Sequence, residues 1–511
     1  MNNYYCKVDK FAAEPQINDS YSTTKLHIQK NYKIALPKGR FLSSTARFLS
    51  EAGLGFDGYS DKTRQYRLQS TIIPDLSAKV FQEKDIPIQV AIGNYDLGIC
   101  GLDWIEELLA KYPTGNLVKI SGLNYGEGNV HVVASNRAGI SNIDELLDRQ
   151  NDFRIVSEYP NLAEAFALNQ RMKKFRVFPV WGASEVYPPE NADLSILWEE
   201  CESSIAAQYL ILLKTLLPVT AFLIANRTSL ENKDMSLLLS LITEPCQQSS
   251  VGITGHDDSI ASTSRSPDRD NSNRTERAAQ SYWQEKEIKL ALPDGHQQAP
   301  TAQFLKQTNI AIPEYYDQLL NRRPSTDLDW LGIKVIRPQD MPLQVANANF
   351  DLAITGEDWL REHLYRFPSS PVQGLLTLGF GIVKIVVAVS QDMPVTNTEE
   401  LRYLVQSGKF APLRVASEYI NISDKYLRDN HIDPYKLIPT WGASEAFLPE
   451  DADMLIDNTE TGKTLKQHGL RIIDVIFQSS ACLIGNKDSL SSPNKKGKIN
   501  FLIESLQAGL S

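Results

Sequence analysis

A long-range internal repeat limits the possible folds of this chain more than any other feature of its sequence. Residues 181–185 read WGASE, and residues 441–445 read WGASE again, about 260 positions later. The correspondence extends further, since AFLIANRTSL at 221–230 returns as ACLIGNKDSL at 481–490. Stacked solenoid repeats have periods of roughly 20 to 50 residues, so two copies of this length indicate a duplicated domain. The positions at which the copies differ are therefore the most informative about function.

Length and charge limit the classes of protein to consider. The chain has 511 residues, 42% of them hydrophobic, which is enough for two or more domains with proper cores. The net charge of -10 argues against a general binder of nucleic acids or membrane surfaces. A local basic site for a small phosphorylated molecule is compatible with this charge. We therefore expect neither a nucleic-acid partner nor a membrane partner.

Cysteine usage and hydropathy predict the compartment. The chain has five cysteines, an odd number without metal-ligand spacing, which argues against a disulfide framework. The sequence has no run of about 18 apolar residues, and its polar beginning lacks the apolar core of a signal peptide. These features predict a cytoplasmic protein, and they leave any metal ligands unknown.

The chain divides into a tail, a copy, a linker and a second copy. Residues 245–285 are crowded with Ser, Asp, Asn, Arg and Gln, which is typical of a disordered linker. Residues 32–244 form copy 1, residues 286–511 form copy 2, and residues 1–31 form the N-terminal tail. In copy 1 we predict strands at 33–36 and 96–100 and helices at 43–52 and 104–111. This alternation predicts an α/β fold with largely parallel sheets. Six glycines are predicted to mark crossings between two lobes in each copy: Gly122, Gly126, Gly128, Gly374, Gly379 and Gly381.

Copy 2 contains a candidate phosphate-binding turn. Residues 453–465 (DMLIDNTETGKTL) predict a strand, a polar turn and the start of a helix. Gly462 permits close approach of an anion to the backbone, and the first amides of the helix are unpaired donors. The spacing excludes a Walker A loop. Taken alone, the stretch fits an ordinary helix N-cap equally well.

The corresponding stretch of copy 1 differs in charge. It reads DLSILWEECESSI at 193–205, so that Cys201, Glu202 and Ser204 stand where copy 2 has Thr461, Gly462 and Thr464. Carboxylates at Glu199, Glu200 and Glu202 would repel a phosphate. We infer that copy 1 has lost the phosphate-binding turn.

A second motif differs in the opposite sense. Copy 1 begins with LPKGR at 36–40, whereas copy 2 has LPDGH at 292–296. Lys38 and Arg40 flank a glycine just after a predicted strand, a placement suited to binding phosphate oxygens. The pentapeptide alone is equally typical of two solvated cations in a turn. Asp294 and His296 cannot supply this charge.

Taken in order, these motifs resemble a known family. LPKGR, DLGICG at 96–101, SEYPNL at 157–162, the ASE segment and the TGKTL-type turn resemble the catalytic region of ATP phosphoribosyltransferase. The resemblance covers about 210 residues of each copy. It implies copies with a two-lobed fold like that of type II periplasmic binding proteins, with the active site in the cleft. A regulatory domain is not evident after either copy, which is similar to the short form of the family.

The resemblance implies a reaction and partners. Phosphoribosyl is transferred from phosphoribosyl pyrophosphate to N1 of ATP, and pyrophosphate is released, in the first step of histidine biosynthesis. Mg2+ would accompany the donor. Short-form enzymes work with a histidyl-tRNA-synthetase-like regulatory subunit, and a homo-oligomer is possible. Because negative charge develops on pyrophosphate, the enzyme needs cationic donors and positioning more than a general base.

The same resemblance assigns roles to residues of this chain. Lys38 and Arg40 would face pyrophosphate or the phosphates of ATP. Arg67 and Arg322, which we pair by their spacing, resemble an arginine that reaches pyrophosphate from a neighbouring subunit; either is equally compatible with an exposed charge. Glu158 and Glu418 match the nucleotide-binding EYPNL segment, although an acid at a helix start is equally expected. The predicted donor-binding residues are Asp457, Thr459, Glu460, Thr461, Gly462, Lys463 and Thr464.

Copy 1 has lost the phosphate-binding turn and copy 2 has lost the basic motif, which suggests a fused dimer with one composite active site. In this interpretation copy 2 supplies the phosphoribosyl turn, and copy 1 supplies Lys38 and Arg40 across the interface between the copies. Trp181 and Trp441 line the acceptor pocket or pack the hinge. Two alternatives stay open: a phosphoribosyltransferase for another base or nucleotide, and a catalytically inactive ligand-binding or regulatory protein.

Overall fold

A computed structural model of the protein describes residues 31–60, 65–73, 75–149, 152–248, 286–316, 321–410 and 412–510. The tail and most of the predicted linker lie outside the described residues. The strands of copy 1 are β1 Tyr32–Lys38, β2 Arg67–Gln69, β3 Leu76–Gln82, β4 Leu97–Gly101, β5 Leu117–Gly122, β6 Gly128–Ser135, β7 Phe153–Ser157, β8 Phe175–Pro179, β9 Leu194–Glu199, β10 Leu210–Val219 and β11 Ala221–Asn226. Its helices are α1 Leu42–Glu51, α2 Ile86–Ala91, α3 Leu102–Lys111, α4 Ile143–Arg149, α5 Pro160–Asn169, α6 Glu202–Ala207, α7 Arg227–Asn232 and α8 Ser236–Gln248.

Copy 2 repeats this order of elements. Its strands are β12 Ile288–Pro293, β13 Leu331–Ile336, β14 Leu352–Gly356, β15 Val372–Thr377, β16 Val383–Ser390, β17 Leu413–Ser417, β18 Tyr435–Pro439, β19 Met454–Thr459, β20 Leu470–Ser479 and β21 Ala481–Asn486. Its helices are α9 Gln298–Leu305, α10 Met341–Ala346, α11 Glu357–Arg366, α12 Thr398–Gln406, α13 Ile420–Asp429, α14 Lys463–Gln467, α15 Lys487–Ser491 and α16 Pro493–Ala508.

Each copy has two lobes, and each lobe is built on one sheet. The first lobe of copy 1 has the strand order β2-β3-β1-β4-β11-β5, with β1 parallel to β3 and β4. Strand β4 (LGICG) is buried along its whole length, as expected of a parallel strand covered on both faces. The second lobe has the order β10-β6-β9-β7-β8. Copy 2 has the corresponding sheets β13-β12-β14-β21-β15, whose described strands include no counterpart of edge strand β2, and β18-β17-β19-β16-β20. The α/β class and the two-lobed copies are confirmed.

The chain crosses between lobes where glycines were predicted to mark the crossing. In copy 1 the first crossing lies between β5 and β6, and Gly126 adopts a positive φ of 67° there. In copy 2 it lies between β15 and β16, where Gly379 and Gly381 have positive φ. Gly374 instead lies inside β15, so its assignment to the crossing was wrong.

Each first lobe packs against the second lobe of the other copy. One apolar cluster joins Phe81 and Ile86 of copy 1 to Phe447 and Leu465 of copy 2. The rings of Phe81 and Phe447 meet edge to face with centroids 5.3 Å apart. A reciprocal cluster joins copy 1 and copy 2 through the residues Val180, Val186, Tyr187, Ile336, Met341 and Phe350. The two copies are therefore arranged as the subunits of a pseudo-symmetric dimer.

Buried lysines reinforce both halves of this interface. Lys79 Nζ lies 2.7 Å from Asp451 Oδ2 and 2.8 Å from Glu450 Oε2. On the other side, Lys334 Nζ lies 2.8 Å from Glu190 Oε2 and donates a hydrogen bond to Asn191. Because Lys334 is fully buried, desolvation lowers its pKa to about 7, although Glu190 opposes the shift.

The boundary between copy 1 and the linker requires a correction. We predicted that the disordered linker begins at residue 245, but helix α8 continues to Gln248. Helix α8 is amphipathic and places Leu238 and Ile242 in the core of the first lobe, which extends the helix beyond the change in composition.

Removing one partner of a buried ion pair leaves an uncompensated charge, so Lys79→Met should lower the free energy of unfolding by about 3–5 kcal/mol. The exposed ion pair between Lys119 and Glu106 provides the control. Lys119→Met should change the free energy of unfolding by less than about 1 kcal/mol. Urea denaturation followed by circular dichroism measures both changes. Equal losses for the two variants would contradict a structural role of the buried pair.

Candidate active site

The cleft of copy 1 forms a cavity of about 300 Å³ between its two lobes. The residues lining it come from strand ends and turns of both lobes: Lys38, Gly39, Arg40, Gln82, Glu83, Lys84, Trp104, Glu158, Tyr159, Ser184, Glu185, Leu197, Trp198 and Glu199. Lys38, Arg40 and Glu158 therefore all border the cleft of copy 1, whereas Lys38 and Arg40 were predicted to act at the cleft of copy 2. In copy 2, Glu418 after β17, Asp457 of β19 and Glu445 of the WGASE turn lie close enough to interact electrostatically.

The polar turn of copy 2 adopts the predicted strand, turn and helix. Strand β19 ends at Thr459, and helix α14 begins at Lys463 after Gly462, which has a positive φ of 72°. Gly462 N–H donates to Thr459 Oγ1 over 2.9 Å. Thr461 and Thr464 are exposed, and Leu465 anchors the helix in the apolar cluster shared with copy 1. Lys463 N–H donates to Thr461 Oγ1 over 3.4 Å, so the first amides of the turn are capped by its own hydroxyls, while the side chains of Thr461 and Thr464 are exposed to solvent.

The same turn in copy 1 is acidic and carries no glycine. Strand β9 ends at Glu199, which accepts a hydrogen bond from Gln208, and helix α6 begins at Glu202. The exposed thiol of Cys201 contacts the hydroxyls of Ser203 and Ser204. An anion at this turn would meet carboxylates where copy 2 offers hydroxyls, so the geometry is unfavourable for phosphate.

The floors of the two clefts also differ. In copy 2, Asn458 donates to the hydroxyl of Tyr419, which donates to Asp358. Copy 1 has Trp198 in place of Asn458, and its indole ring lies 4.4 Å from the guanidinium carbon of Arg40. Trp198 fills the polar floor of the copy 1 cleft with an apolar ring.

Arg40 remains within copy 1. Its Nε lies 3.0 Å from Glu83, and its NH2 nitrogen lies 2.6 Å from Asp103. Desolvation raises the pKa of Glu83 to about 7, although Arg40 opposes the shift. We predicted that Arg40 faces copy 2 together with Lys38, and the contacts contradict this placement. Arg40 is bound by two carboxylates of its own copy.

Lys38, in contrast, extends toward copy 2. Its Nζ donates to the hydroxyl of Tyr66 over 3.0 Å, and this hydroxyl donates to Glu445 of copy 2 over 3.1 Å. The ring of Tyr66 lies 4.8 Å from that of His468, immediately after helix α14. Lys38 is thus connected to the WGASE turn of copy 2 through one side chain of copy 1. The sequence analysis missed Tyr66, although it differs between the copies.

The pairing of Arg67 with Arg322 was wrong. Val80 N–H donates to the carbonyl of Tyr66, and the equivalent Val335 N–H donates to the carbonyl of Arg322. Arg322 is therefore the counterpart of Tyr66, and Arg323 is the counterpart of Arg67. A difference of one residue in the segment before β3 and β13 shifts the register and misleads an alignment based on spacing.

The contacts agree with the corrected pairing. Arg67 forms two hydrogen bonds to Glu450, and Arg323 lies 3.2 Å from Glu190, so both arginines bind the same acidic position of the other copy. Arg322 lies 2.6 Å from Asp294 and 3.5 Å from Glu185. Their candidate role toward pyrophosphate stays a prediction.

The candidate acids lie in poorly solvated surroundings. Burial raises the pKa of Glu418, and the neighbouring carboxylates Asp457 and Asp85 raise it further, whereas Lys84 opposes them. Burial likewise raises the pKa values of Asp457 and Glu158. A proton held by Glu418 or Asp457 near neutral pH reduces negative charge where an anionic substrate would bind.

Lys84 lies among three indole rings at the centre of the interface. Its Nζ is 5.2 Å from the centroid of Trp104, 5.9 Å from Trp181 and 5.8 Å from Trp441. The backbone N–H of Trp181 also donates to Asp340 of copy 2. The duplicated tryptophans thus pack between the copies, which agrees with the packing alternative. The sequence analysis did not single out Lys84.

Within the described ranges, no group of three or more His, Cys, Asp or Glu side chains is arranged to hold a metal ion. The same ranges contain no helix that is both long and apolar enough to cross a membrane.

Comparisons with known proteins identify relatives of both copies. A family model described as ATP phosphoribosyltransferase matches residues 82–244 and 337–508. ATP phosphoribosyltransferase from Saccharolobus solfataricus is 34% identical over 228 residues, which cover 44% of this chain and 72% of that protein. The enzyme from Thermodesulfovibrio yellowstonii is 30% identical over 230 residues, covering 44% of this chain and 73% of its own. A solved ATP phosphoribosyl transferase (HisG:HisZ) complex from Thermotoga maritima aligns at 22% identity and a TM-score of 0.35, over 44% of this chain and 98% of that one.

The raised pKa of Glu418 predicts a pH-dependent stability effect. The folded state retains a proton that the unfolded state releases above about pH 4.3, so ionisation destabilises the fold increasingly as pH rises. Glu418→Gln should therefore raise the melting temperature more at about pH 8.5 than at about pH 5, by roughly 1–4 °C. Calorimetry at both pH values measures the difference, with Glu164→Gln at an exposed site as the control. A stabilisation that does not depend on pH would contradict this account.

Proposed function

Because this chain belongs to the ATP phosphoribosyltransferase family, we propose that it transfers phosphoribosyl from phosphoribosyl pyrophosphate to N1 of the adenine of ATP, with release of pyrophosphate. This reaction is the first step of histidine biosynthesis. The observation that carries the proposal is the turn around Gly462, which opens helix α14 with a left-handed glycine and exposes the side chains of Thr461 and Thr464. We place the reaction there, with Lys38 supplied by copy 1.

The chemistry requires charge stabilisation more than proton transfer. The bond between C1 of the ribose and pyrophosphate breaks as the bond from N1 of adenine forms, so negative charge accumulates on the leaving group. Thr459, Thr461, Gly462, Lys463 and Thr464 bind the 5-phosphate in this proposal. Asp457 and Glu460 face the ribose, and Glu418 faces the nucleotide acceptor. Lys38 provides the ammonium that copy 2 lacks, since Asp294 occupies the equivalent position.

Magnesium is a separate part of the proposal. The described residues do not form a complete metal site, so we propose that Mg2+ arrives bound to the phosphates of the donor. Mg2+ supplies charge neutralisation when it is bound. The carboxylates of the chain then serve to hold the ribose and the acceptor.

Copy 1 contributes structure and Lys38 but no second site of transfer in this proposal. Its turn carries Glu199 and Glu202, Trp198 replaces a polar residue of the floor, and Arg40 is already paired with Glu83 and Asp103. A donor phosphate would have to displace these interactions against like charge.

Two observations favour a second candidate, an inactive ligand-binding protein. Arg40 faces the cleft of copy 1, and Tyr66 stands where the other half of the interface has Arg322, so the cleft of copy 2 has fewer cations than the motifs predicted. The intact Gly462 turn favours the enzyme. Phosphoribosyl transfer to another base or nucleotide is distinguished from transfer to ATP by testing which acceptor supports pyrophosphate release.

Further proposals concern partners and location. One solved relative is a complex of HisG with HisZ, which supports a proposal that this chain binds a histidyl-tRNA-synthetase-like regulatory subunit. We also propose that it acts in the cytoplasm and forms homo-oligomers. Co-purification with a candidate regulatory subunit and sedimentation of the chain alone test these proposals.

Exchanging the glycine and glutamate of the two turns tests the assignment of the site. Gly462→Glu should lower the rate of pyrophosphate release by about a hundredfold or more, because it places a carboxylate at a left-handed position beside the donor phosphate. Glu202→Gly in copy 1 is the matched control and should change the rate by less than about twofold. Rates are measured with a coupled pyrophosphate assay. Retained turnover in Gly462→Glu, or a large loss in Glu202→Gly with the fold intact, would move the site to copy 1.

A further inference from the structure

We propose that Tyr66 is a positioning residue that holds the ammonium of Lys38, which borders the cleft of copy 1, toward the WGASE turn of copy 2. The inference rests on the proposed function, because it assigns the ammonium an anionic substrate group. Tyr66 belongs to copy 1, but its hydroxyl and its ring both contact copy 2.

The hydroxyl of Tyr66 links a cation to an anion. It accepts from Lys38 Nζ over 3.0 Å and donates to Glu445 Oε1 over 3.1 Å, so both functions of the phenol are used. Only 9% of Tyr66 is exposed. Burial and the nearby Glu445 raise the pKa of the phenol, which keeps it neutral. A neutral phenol fixes the ammonium without cancelling its charge.

The ring of Tyr66 fixes the distance to the phosphate-binding turn. It packs at 4.8 Å from His468, which follows helix α14, and helix α14 begins directly after Gly462. The same side chain therefore contacts the WGASE turn through Glu445 and the far end of the helix that carries the phosphate-binding residues. Lys38 is positioned relative to the copy that binds the donor.

The other half of the interface shows a cation whose charge is neutralised by ion pairs. There Arg322 replaces Tyr66, and its guanidinium lies between Asp294 and Glu185 in two ion pairs. In the described part of the chain, Lys38 has no carboxylate within 4.0 Å. The charge of Arg322 is thus cancelled by protein groups, whereas the charge of Lys38 remains available for a ligand. We infer that this ligand group is a phosphate or pyrophosphate.

A double-mutant cycle tests whether Tyr66 acts through Lys38. Inorganic pyrophosphate is the probe, and calorimetry measures its affinity for the full chain. Lys38→Met should weaken binding about tenfold or more, and Tyr66→Phe should weaken it about threefold to tenfold while keeping the ring on His468. In the Lys38→Met background, Tyr66→Phe should have no further effect. The steady-state KM for phosphoribosyl pyrophosphate should follow the same pattern.

The control is Tyr435→Phe, which removes a tyrosine–carboxylate hydrogen bond to Asp424 within the second lobe of copy 2 and should leave the affinity unchanged. Equal and additive losses in the two backgrounds would show a structural role for Tyr66 and overturn the inference. It is also overturned if Tyr66→Phe binds pyrophosphate normally or if the unsubstituted protein does not bind it. If the cycle shows coupling between Tyr66 and Lys38 but the chain has no turnover, the inference is supported and the proposed function is rejected.

Discussion

Burial of the turn after each WGASE motif against the first lobe of the other copy is the contact on which the rest of the structure depends. Phe447 packs on Phe81 beside the buried ion pair between Lys79 and Asp451. A second, related contact joins Lys334 to Glu190. Because the cleft of copy 1 lies beside this interface, individual side chains of one copy contact the other, as Tyr66 contacts Glu445. A composite site is thereby geometrically possible.

The two halves of the interface have a similar backbone but carry side chains of different charge at equivalent positions. One half carries Lys38, Tyr66 and Glu445, and the other carries Asp294, Arg322 and Glu185. Among the described residues, the ammonium of Lys38 in the first half has no ion-pair partner, whereas Arg322 in the second half pairs with two carboxylates. This asymmetry follows the loss of the phosphate-binding turn in copy 1. Duplication in one chain permits such divergence, since a symmetric dimer must carry each substitution on both sides.

Much of this arrangement was predictable from sequence, because it depends on local patterns. Buried apolar strands, most of the crossing glycines and the turn at Gly462 follow from periodicity and backbone preference. The directions of Lys38 and Arg40 were not predictable. They flank Gly39, whose φ is 94°, and they have different partners: Lys38 is linked through Tyr66 to the other copy, whereas Arg40 pairs with carboxylates of its own copy. The contacts of Tyr66 and Arg322 were missed because a single-residue shift is visible only in the hydrogen bonds between strands.

The number of donor molecules bound per chain tests the central claim most directly. Titration calorimetry of the full chain with phosphoribosyl pyrophosphate and Mg2+ gives this number without requiring turnover. One functional turn, at Gly462, predicts one donor molecule per chain. Two molecules bound with similar affinity would contradict the account, because copy 1 would then retain a working donor site despite Glu199, Glu202 and Trp198.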